Sequence, residues 1–366
     1  MVDENRDRNP AAPVHRDAAD LHAAAAVTAA AARAPVMADV ARLAGVSHQT
    51  VSRVINGAPS IKPETRERVL QAIERLGYRP NTAARALVRG RSGIIGIIGT
   101  AQTLFGPTSI HRTVEDAARA AGYFATSVSL SEVTRRGLSD ASEHLMRVGV
   151  EGIVMIAGHD EALEVVRTQR SQVPFVVVEG DLSKASLTVG VDQVLGARVA
   201  TEHLLDLGHR EIVHVSGPLN WAEARARVEG WRLAMSEAGL RPAEPVGGDW
   251  TSRSGYAAGL RICEMPETTA VFAANDQMAI GVLRALHECN RRVPDDISVV
   301  GFDDVPEAAY LIPPLTTIQQ DFDAVGRRAI EVVTQAIKGE ELRPSTLVIP
   351  KLVVRESTAP PTRTGT

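Results

Sequence analysis

Apolar and polar positions change rhythm twice along this chain. From Met37 to Asn56 apolar residues recur at helical spacing in two short blocks. Val40, Leu43 and Ala44 give the first block one apolar face. Gly45-Val46-Ser47 follows: a glycine able to take positive φ, an apolar plug, and a serine able to N-cap a second helix. In that second helix Val51, Val54 and Ile55 should face back toward Leu43 and Val46, leaving His48, Gln49, Ser52, Arg53 and Asn56 on the opposite side. Gly57 to Ser60 then turn the chain. Pro63 in a first-turn position, Glu64 and Glu67 behind it, the stripe Val69, Ile73 and Leu76, and Gly77 at the end predict a third helix.

From Ile94 the texture changes to short apolar runs separated by amphipathic segments. The runs predict strands at Ile94–Gly99, Phe124–Leu130, Gly152–Ala157, Phe175–Glu179, Leu187–Val191, Glu211–Ser216, Ala270–Ala274 and Ser298–Gly301. Helices are predicted between most of them, notably over Val194–Leu207, Trp221–Ala238 and Asp276–Glu288. Such alternation means parallel sheets covered by helices on both faces, and so many strands suggest two of them. In sheets of this kind ligands bind at the carboxyl ends of the strands.

Length and charge sharpen this picture. A chain of 366 residues suits a small module followed by a large one. The formal net charge of -4 hides a segregation: residues 33–93 hold eleven Lys or Arg against four Asp or Glu, while the rest of the chain is acidic. Residues 1–34 are alanine-rich and of low complexity, and are expected to be disordered or, if translation starts near Met37, absent. Their acidic start and weakly hydrophobic alanines do not suit a signal peptide. No apolar run approaches a membrane span. The two cysteines, Cys263 and Cys289, fall in predicted helices and are expected as free thiols.

The first two helices have the geometry of a helix-turn-helix, whose second helix enters the major groove. Its outer face suits base reading: arginine can donate two hydrogen bonds to guanine and glutamine can pair with adenine. Lys62, Arg66 and Arg68 are candidates for phosphate contacts. Thr82 to Val88 favours helix but is too short to be stable alone; it reads as a hinge that orders on DNA, with Leu87 as a minor-groove wedge, or as a plain linker.

Enzyme chemistry finds little support. Gly93, Gly96 and Gly99 fall within a strand, not at the strand-helix turn of a dinucleotide fingerprint. Asp303 and Asp304 should point apart. His203, His209 and His214 lack metal-ligand spacing and read as surface residues. No nucleophile elbow or phosphate loop is present, so neither an enzyme nor a cofactor or metal site is expected. Polar groups at predicted strand ends are more informative: Glu179, Arg227, Asn275 and Asp303, with Trp250 nearby. Forks of charged and amide groups beside an aromatic face hold neutral polyols, and a buried Arg227 and Asp303 could neutralise each other. Singly, each is as readily a salt bridge or a cap.

The blocks DVARLAGVSHQTVSRVING and RPNTAARAL, followed by GPLNWAEARARVEGW, GDW, ANDQMAIG, DISVVGFDD and IPPLTTIQQDF, resemble the LacI family of bacterial transcription regulators from Met37 to Ser357. The later blocks resemble the family's type member more than its average. The resemblance implies an α/β protein: a three-helix helix-turn-helix head (35–81), a hinge helix and linker (82–92), and a periplasmic-binding-protein-like core (93–358) of two subdomains, roughly 93–191 with 323–348 and 192–322 with 349–358. It implies that Gln49 and Arg53 read bases with Ser47, His48, Thr50, Asn56 and Asn81 at the DNA, and that Leu87 intercalates. It places Thr108, Glu179, Arg227, Trp250, Asn275, Asp303 and Phe322 around an effector. The implied partners are a palindromic double-stranded operator, a sugar effector and a second copy of the chain, in the cytoplasm. His48 stands where the type member has tyrosine, Glu179 for an aspartate and Ile156 for an asparagine. The tail after Ser357 has no leucine heptads, so no tetramerising helix is expected. A non-sugar effector or corepressor, and a periplasmic sugar-binding protein, are the competing readings.

Overall fold

The computed structural model describes residues 35–58, 60–78, 91–100, 104–132, 134–156, 158, 172–180, 187–341 and 347–362. The chain divides into two compact units, Met1–Arg89 and Gly90–Thr366. The described part of the first unit is three helices, α1 (Met37–Ala44), α2 (His48–Ile55) and α3 (Pro63–Leu76). Local chemistry sets their ends. Gly45 caps α1 at φ 63°, the Ser47 hydroxyl accepts from the Thr50 amide at the start of α2, Pro63 opens α3, and Gly77 closes it at φ 59°. Val40, Ala41, Ala44, Val51, Val54, Val69, Ala72 and Tyr78 form the core. One residue departs from the expected stripe: Leu43 is exposed, and Ala41 is buried in its place beside Val40 and Ala44.

The second unit contains two sheets. The first has the order β2-β1-β3-β4-β5 and is parallel throughout, from β1 (Ile94–Thr100), β2 (Phe124–Leu130), β3 (Gly152–Ile156), β4 (Phe175–Val178) and β5 (Thr188–Val189). α4 (Phe105–Ala120) joins β1 to β2, and α5 (Arg135–Val148) joins β2 to β3. The chain then crosses to a second sheet through α6 (Gln193–Asp206), β6 (Ile212–Ser216), α7 (Ala222–Glu237), β7 (Val246–Gly247), α8 (Ser252–Cys263), β8 (Ala270–Ala273), α9 (Asp276–Glu288), β9 (Ser298–Asp303) and β10 (Thr316–Gln319). It returns to the first sheet as α10 (Phe322–Lys338), and crosses once more to add β11 (Lys351–Val353) antiparallel to β10. The second sheet's order is β11-β10-β9-β8-β6-β7.

Both faces of both sheets are covered, which is why β3 and β9 are buried at every position instead of alternating. In the first sheet α4 and α10 pack on one face and α5 on the other. In the second, α8 and α9 cover one face, and α6 and α7 the other. The short strands β7, β10 and β11 and the helix α10 were not among those singled out from the pattern.

Two sequence expectations are corrected. Cys263 and Cys289 are bonded to each other, with Cα atoms 6.3 Å apart. Cys263 is the last residue of α8 and Cys289 caps α9, and the two helices run side by side at glycine-width separation, which brings those ends together. A Cβ on Gly281 would meet the backbone of Ser252 and Tyr256, one on Gly255 the backbone of Met278, and one on Gly259 the side chain of Ala285. His209 and His214 are core residues, 1% and 0% exposed, not surface ones. His209 bonds Thr269, Ser298 and the Ala359 carbonyl, and His214 bonds the Phe272 carbonyl. Burial pushes His214 down to about 3, so it stays neutral. Among the described residues no group of His, Cys, Asp or Glu could hold a metal, and no helix is long and apolar enough to cross a membrane.

Gly281→Val should therefore lower the stability of the second unit by on the order of 3 kcal/mol, because backbone must move to admit the side chain. Gly247→Ala, whose added carbon meets nothing within 4 Å, is the neutral control. Urea midpoints for the two variants would check this; a parental midpoint for Gly281→Val would refute the close helix approach.

Candidate DNA interface and effector cleft

In the head, His48, Gln49, Arg53 and Asn56 are exposed. Ser47 and Thr50 are committed to the helix start: the Thr50 amide donates to Ser47 Oγ at 3.1 Å, and the two hydroxyls are 2.9 Å apart. Asn56 Nδ2 donates to Ser52 Oγ at 3.3 Å. The surface that α2 leaves for another molecule is thus carried by His48, Gln49 and Arg53. Arg66 differs from its expected phosphate role, since its Nη2 donates to the Ala58 carbonyl at 2.9 Å and ties α3 to the turn after α2. Lys62 and Arg68 remain exposed. Asn81 and Leu87 lie outside the described residues.

In the second unit the carboxyl ends of strands from both sheets open on one cleft. Glu179 follows β4, Asn275 follows β8, Asp303 ends β9, and Trp250 lies three residues after β7. Arg227 projects from α7, and Phe105 and Phe322 open α4 and α10, meeting edge to face at 5.9 Å. Of the expected effector residues, Glu179, Arg227, Trp250, Asn275, Asp303 and Phe322 line this cleft. Thr108 does not. It faces a separate hollow with Gly99, His111 and Glu115, while α4 presents Phe105, Gly106, Pro107 and Ile110 to the cleft.

Three hydrogen bonds and one ion pair form a ring in the polar wall. Arg227 Nε donates to Gln193 Oε1 at 2.9 Å. Gln193 Nε2 donates to Gln320 Oε1 at 2.9 Å and to Glu179 Oε2 at 3.1 Å. Gln320 Nε2 donates to Asp303 Oδ1 at 2.6 Å, and Arg227 Nη2 lies 3.7 Å from that same oxygen. Arg227 Nη1 donates to the Ala274 carbonyl, and its guanidinium stacks on Phe302 with Cζ 3.8 Å from the ring centre. Burial lowers the Arg227 pKa, against the pull of Asp303. Burial also raises Asp303 to about 6, with Arg227 and Gln320 opposing. Asp304, the next residue, points away to Arg355 at 2.6 Å, so the adjacent pair divides as expected.

The aromatic wall is Trp250, held against Trp221 at 5.8 Å in a T-shaped contact. Its ring covers Gly217, where any side chain would clash. Asn275 lines the cleft, but its amide is occupied: Oδ1 caps α9 at Met278, and Nδ2 donates to the Trp250 carbonyl and to Gln277. It is a buttress for Trp250. The Trp250 Nε1 and Glu223 Oε2 atoms are buried without partners. Gln193, Gln320, Glu223, Trp221 and Phe105 were not singled out from the sequence. Gln320, Trp221 and Glu223 do sit inside blocks quoted for the resemblance, which was the available signal.

The backbone supplies a further mark. Glu179, Trp250 and Asp303 take φ of 65°, 73° and 114°, the left-handed region that favours glycine. Non-glycine residues held there cost about 1–3 kcal/mol each and gather at functional sites.

Beneath the cleft, Asp276 is fully buried, accepting from the Val305 amide at 2.8 Å and the Thr317 hydroxyl at 2.6 Å. Burial, reinforced by nearby Asp303, raises it from 3.8 to about 8. A carboxyl raised in this way keeps a proton that the unfolded chain gives up. Its effect on stability is therefore greatest at the acid end of the window from about 4 to about 8, and is lost as pH rises through it. Stability without ligand should fall across that window, and Asp276→Asn should flatten the fall. A slope unchanged by Asp276→Asn in denaturant titrations at several pH values would refute the assignment.

Residues 36–81 match the family model described as bacterial regulatory proteins, lacI family, and residues 201–358 match the periplasmic binding protein-like domain. The Lactose operon repressor of Escherichia coli (strain K12) is 35% identical over 333 residues, covering 89% of this chain and 92% of that protein. The structure of the lac repressor dimer bound to operator and the anti-inducer ONPF superposes with a TM-score of 0.82 at 32% identity, covering 89% of this chain and all of that one. The complex of the transcriptional regulator CelR with cellobiose superposes with a TM-score of 0.67 at 32% identity, covering 88% and 99%. These relatives are regulators rather than enzymes. The chain belongs to the LacI family of bacterial regulatory proteins.

Proposed function

We propose that this protein is a homodimeric repressor that reads a near-palindromic DNA site with α2 and leaves it when a small, galactoside-like sugar fills the cleft. One observation carries the reading: a single chain holds an exposed helix face of His48, Gln49 and Arg53, and a cleft whose lining combines an indole wall with a hydrogen-bonded polar ring. Arg53 pairs with guanine and Gln49 with adenine, while His48 adjusts the operator preference. Ser47 and Thr50 hold the helix start at the groove, with Asn56 at its far end. Asn81 and Leu87 belong to the hinge at the centre of the site. In the cleft, the Trp250 ring covers the apolar face of the sugar and its Nε1 donates to a ring or hydroxyl oxygen. Arg227 and Asp303 take hydroxyls, Phe322 and Phe105 close the apolar side, and Glu179 accepts from the far end of the ligand.

One head reads one half-site, so two chains are needed at a palindrome. Tyr310 and Ile312 are 85% and 97% exposed, apolar surface of the kind a second copy covers. The lac repressor structure is a dimer on operator, and CelR holds cellobiose; both support the reading. Release requires the sugar to bind the DNA-incompetent state better than the competent one.

Two outcomes test the proposal. Arg53→Ala should lose about 1–3 kcal/mol of discrimination between operator and random DNA, whereas Lys62→Ala should weaken both alike and reduce the salt dependence; equal losses on both DNAs for Arg53→Ala would make it a phosphate contact. A panel of sugars titrated into the protein bound to its own upstream DNA should release it, with a change in Trp250 fluorescence. Arg227→Ala should keep operator affinity but lose release, because removing the fork leaves Asp303 and the sugar short of partners, at a cost of a few kcal/mol of sugar affinity. Tighter DNA binding with sugar would instead mark a corepressor, and no response to any sugar alongside a response to a purine or amino acid would sink the sugar reading.

A further inference from the structure

Glu223 stands in the first turn of α7, outside the ring that binds Arg227, Gln193, Gln320 and Asp303. It is 8% exposed, and its Oε1 accepts from the Gly180 amide at 2.9 Å. Its Oε2 is buried with no partner. The cleft leaves room for that oxygen by having glycine at 158, where a Cβ would collide with the carboxylate. Glu179 shares this wall and is also 8% exposed, but both of its oxygens are occupied: Oε1 by the Val191 amide at 3.2 Å and Oε2 by Gln193 at 3.1 Å.

Among the described residues, the lining of the cleft holds three carboxylates, Glu179, Glu223 and Asp303, and one cation, Arg227. Arg227 is committed to Gln193, the Ala274 carbonyl and Asp303. Arg225 lines the neighbouring hollow, which Glu179 and Glu223 border as well, and its charge, like that of Arg227, opposes the rise of the Glu223 pKa. Two buried acidic groups, one with an oxygen that has no hydrogen-bond partner, form an incomplete site, since a buried polar atom without a partner is costly. Burial raises both Glu179 and Glu223, and the Glu223 charge raises Glu179 further, to about 8. A group that brings its own positive charge and several N–H donors completes the wall better than a hydroxyl does.

We propose, resting on the sugar reading above, that Glu223 with Glu179 forms a subsite for a protonated amine, and that the effector is an amino sugar. The ammonium donates to Glu223 Oε2, and its charge displaces the proton that Glu179 holds without ligand, which leaves to solvent. Arg227, Asp303 and Trp250 hold the remainder of the ring, as for any sugar.

The test compares D-galactosamine and D-glucosamine with D-galactose and D-glucose on the full-length protein at neutral pH, by calorimetry and tryptophan fluorescence. The amino sugar of at least one pair should bind about tenfold or more tightly than its neutral counterpart. Glu223→Gln should reduce that preference to about twofold or less. Calorimetry in buffers of different ionisation enthalpy supplies a readout on the unaltered protein: amino-sugar binding should release about one proton, and neutral-sugar binding none. Neutral sugars binding as well as their amino counterparts, or a preference that survives Glu223→Gln, overturns the amine subsite and leaves the sugar reading standing. Binding by none of the four, with a purine or amino acid binding instead, overturns the sugar reading and this proposal together.

Discussion

A guanidinium removed from water has to recover its hydrogen bonds from the protein, and in this chain that requirement falls on Arg227. Its partners come from the start of α6, the end of β8 and the end of β9, and Gln320 closes the circuit from the segment after β10. Gln193 and Gln320 sit where the main chain crosses between the two sheets, Gln193 as the first residue of α6, and Gln320 between β10 and α10. The third crossing joins the first through the Val191–Val348 bridge, a few residues from Gln193. A ligand that touches Arg227 is thus one hydrogen bond from the first crossing, and one that touches Asp303 is one hydrogen bond from the second. In a network of this kind a change at one member alters the geometry available to the next. The arrangement gives a physical route from cleft occupancy to the relation between the two sheets.

The cleft also holds buried polar atoms that a ligand can reach, whereas the unpaired His214 Nε2 and Trp231 Nε1 are sealed in the core. Most buried polar groups elsewhere are satisfied: Asp276 by Val305 and Thr317, Ser357 by Thr316 and Val299, and His209 by three partners. Trp250 Nε1 and Glu223 Oε2 are left without partners and line an opening rather than packed core. Unpaired donors and acceptors carry a desolvation cost that a complementary ligand removes, and this is how a cleft becomes selective for polar molecules.

Much of this was legible in the sequence wherever the governing chemistry is local. Gly45, Ser47, Pro63 and Gly77 mark helix ends because caps and left-handed turns are decided within a few residues, and Asp276–Glu288 was bounded as found. The buried strands of both sheets announce themselves as apolar runs. What stayed hidden depends on partners distant in sequence. β7, β10 and β11 are two to four residues long and exist only through their neighbours. His209 and His214 look like surface residues until their hydrogen bonds with Thr269, Ser298 and Phe272 are seen. The pairing of Cys263 with Cys289 follows from three glycines that no periodicity isolates. In the cleft, the charged and aromatic residues could be picked out by type, but Gln193 and Gln320 gain their role from being brought together over 127 positions of chain.

The left-handed backbone at Glu179, Trp250 and Asp303 bears on how such a protein can diverge. Those positions admit glycine, asparagine or aspartate with little difficulty, and resist valine, isoleucine and threonine, whose branched carbons crowd that conformation. A lineage acquiring a taste for a different small molecule is thereby steered away from them. The easier ground is the lining with ordinary backbone: Phe105, Ile156, Gln193 and Glu223. Descendants of this protein would then keep the same anchor for the sugar ring and vary its surroundings, so that new specificities arise as variations on one way of holding a ring.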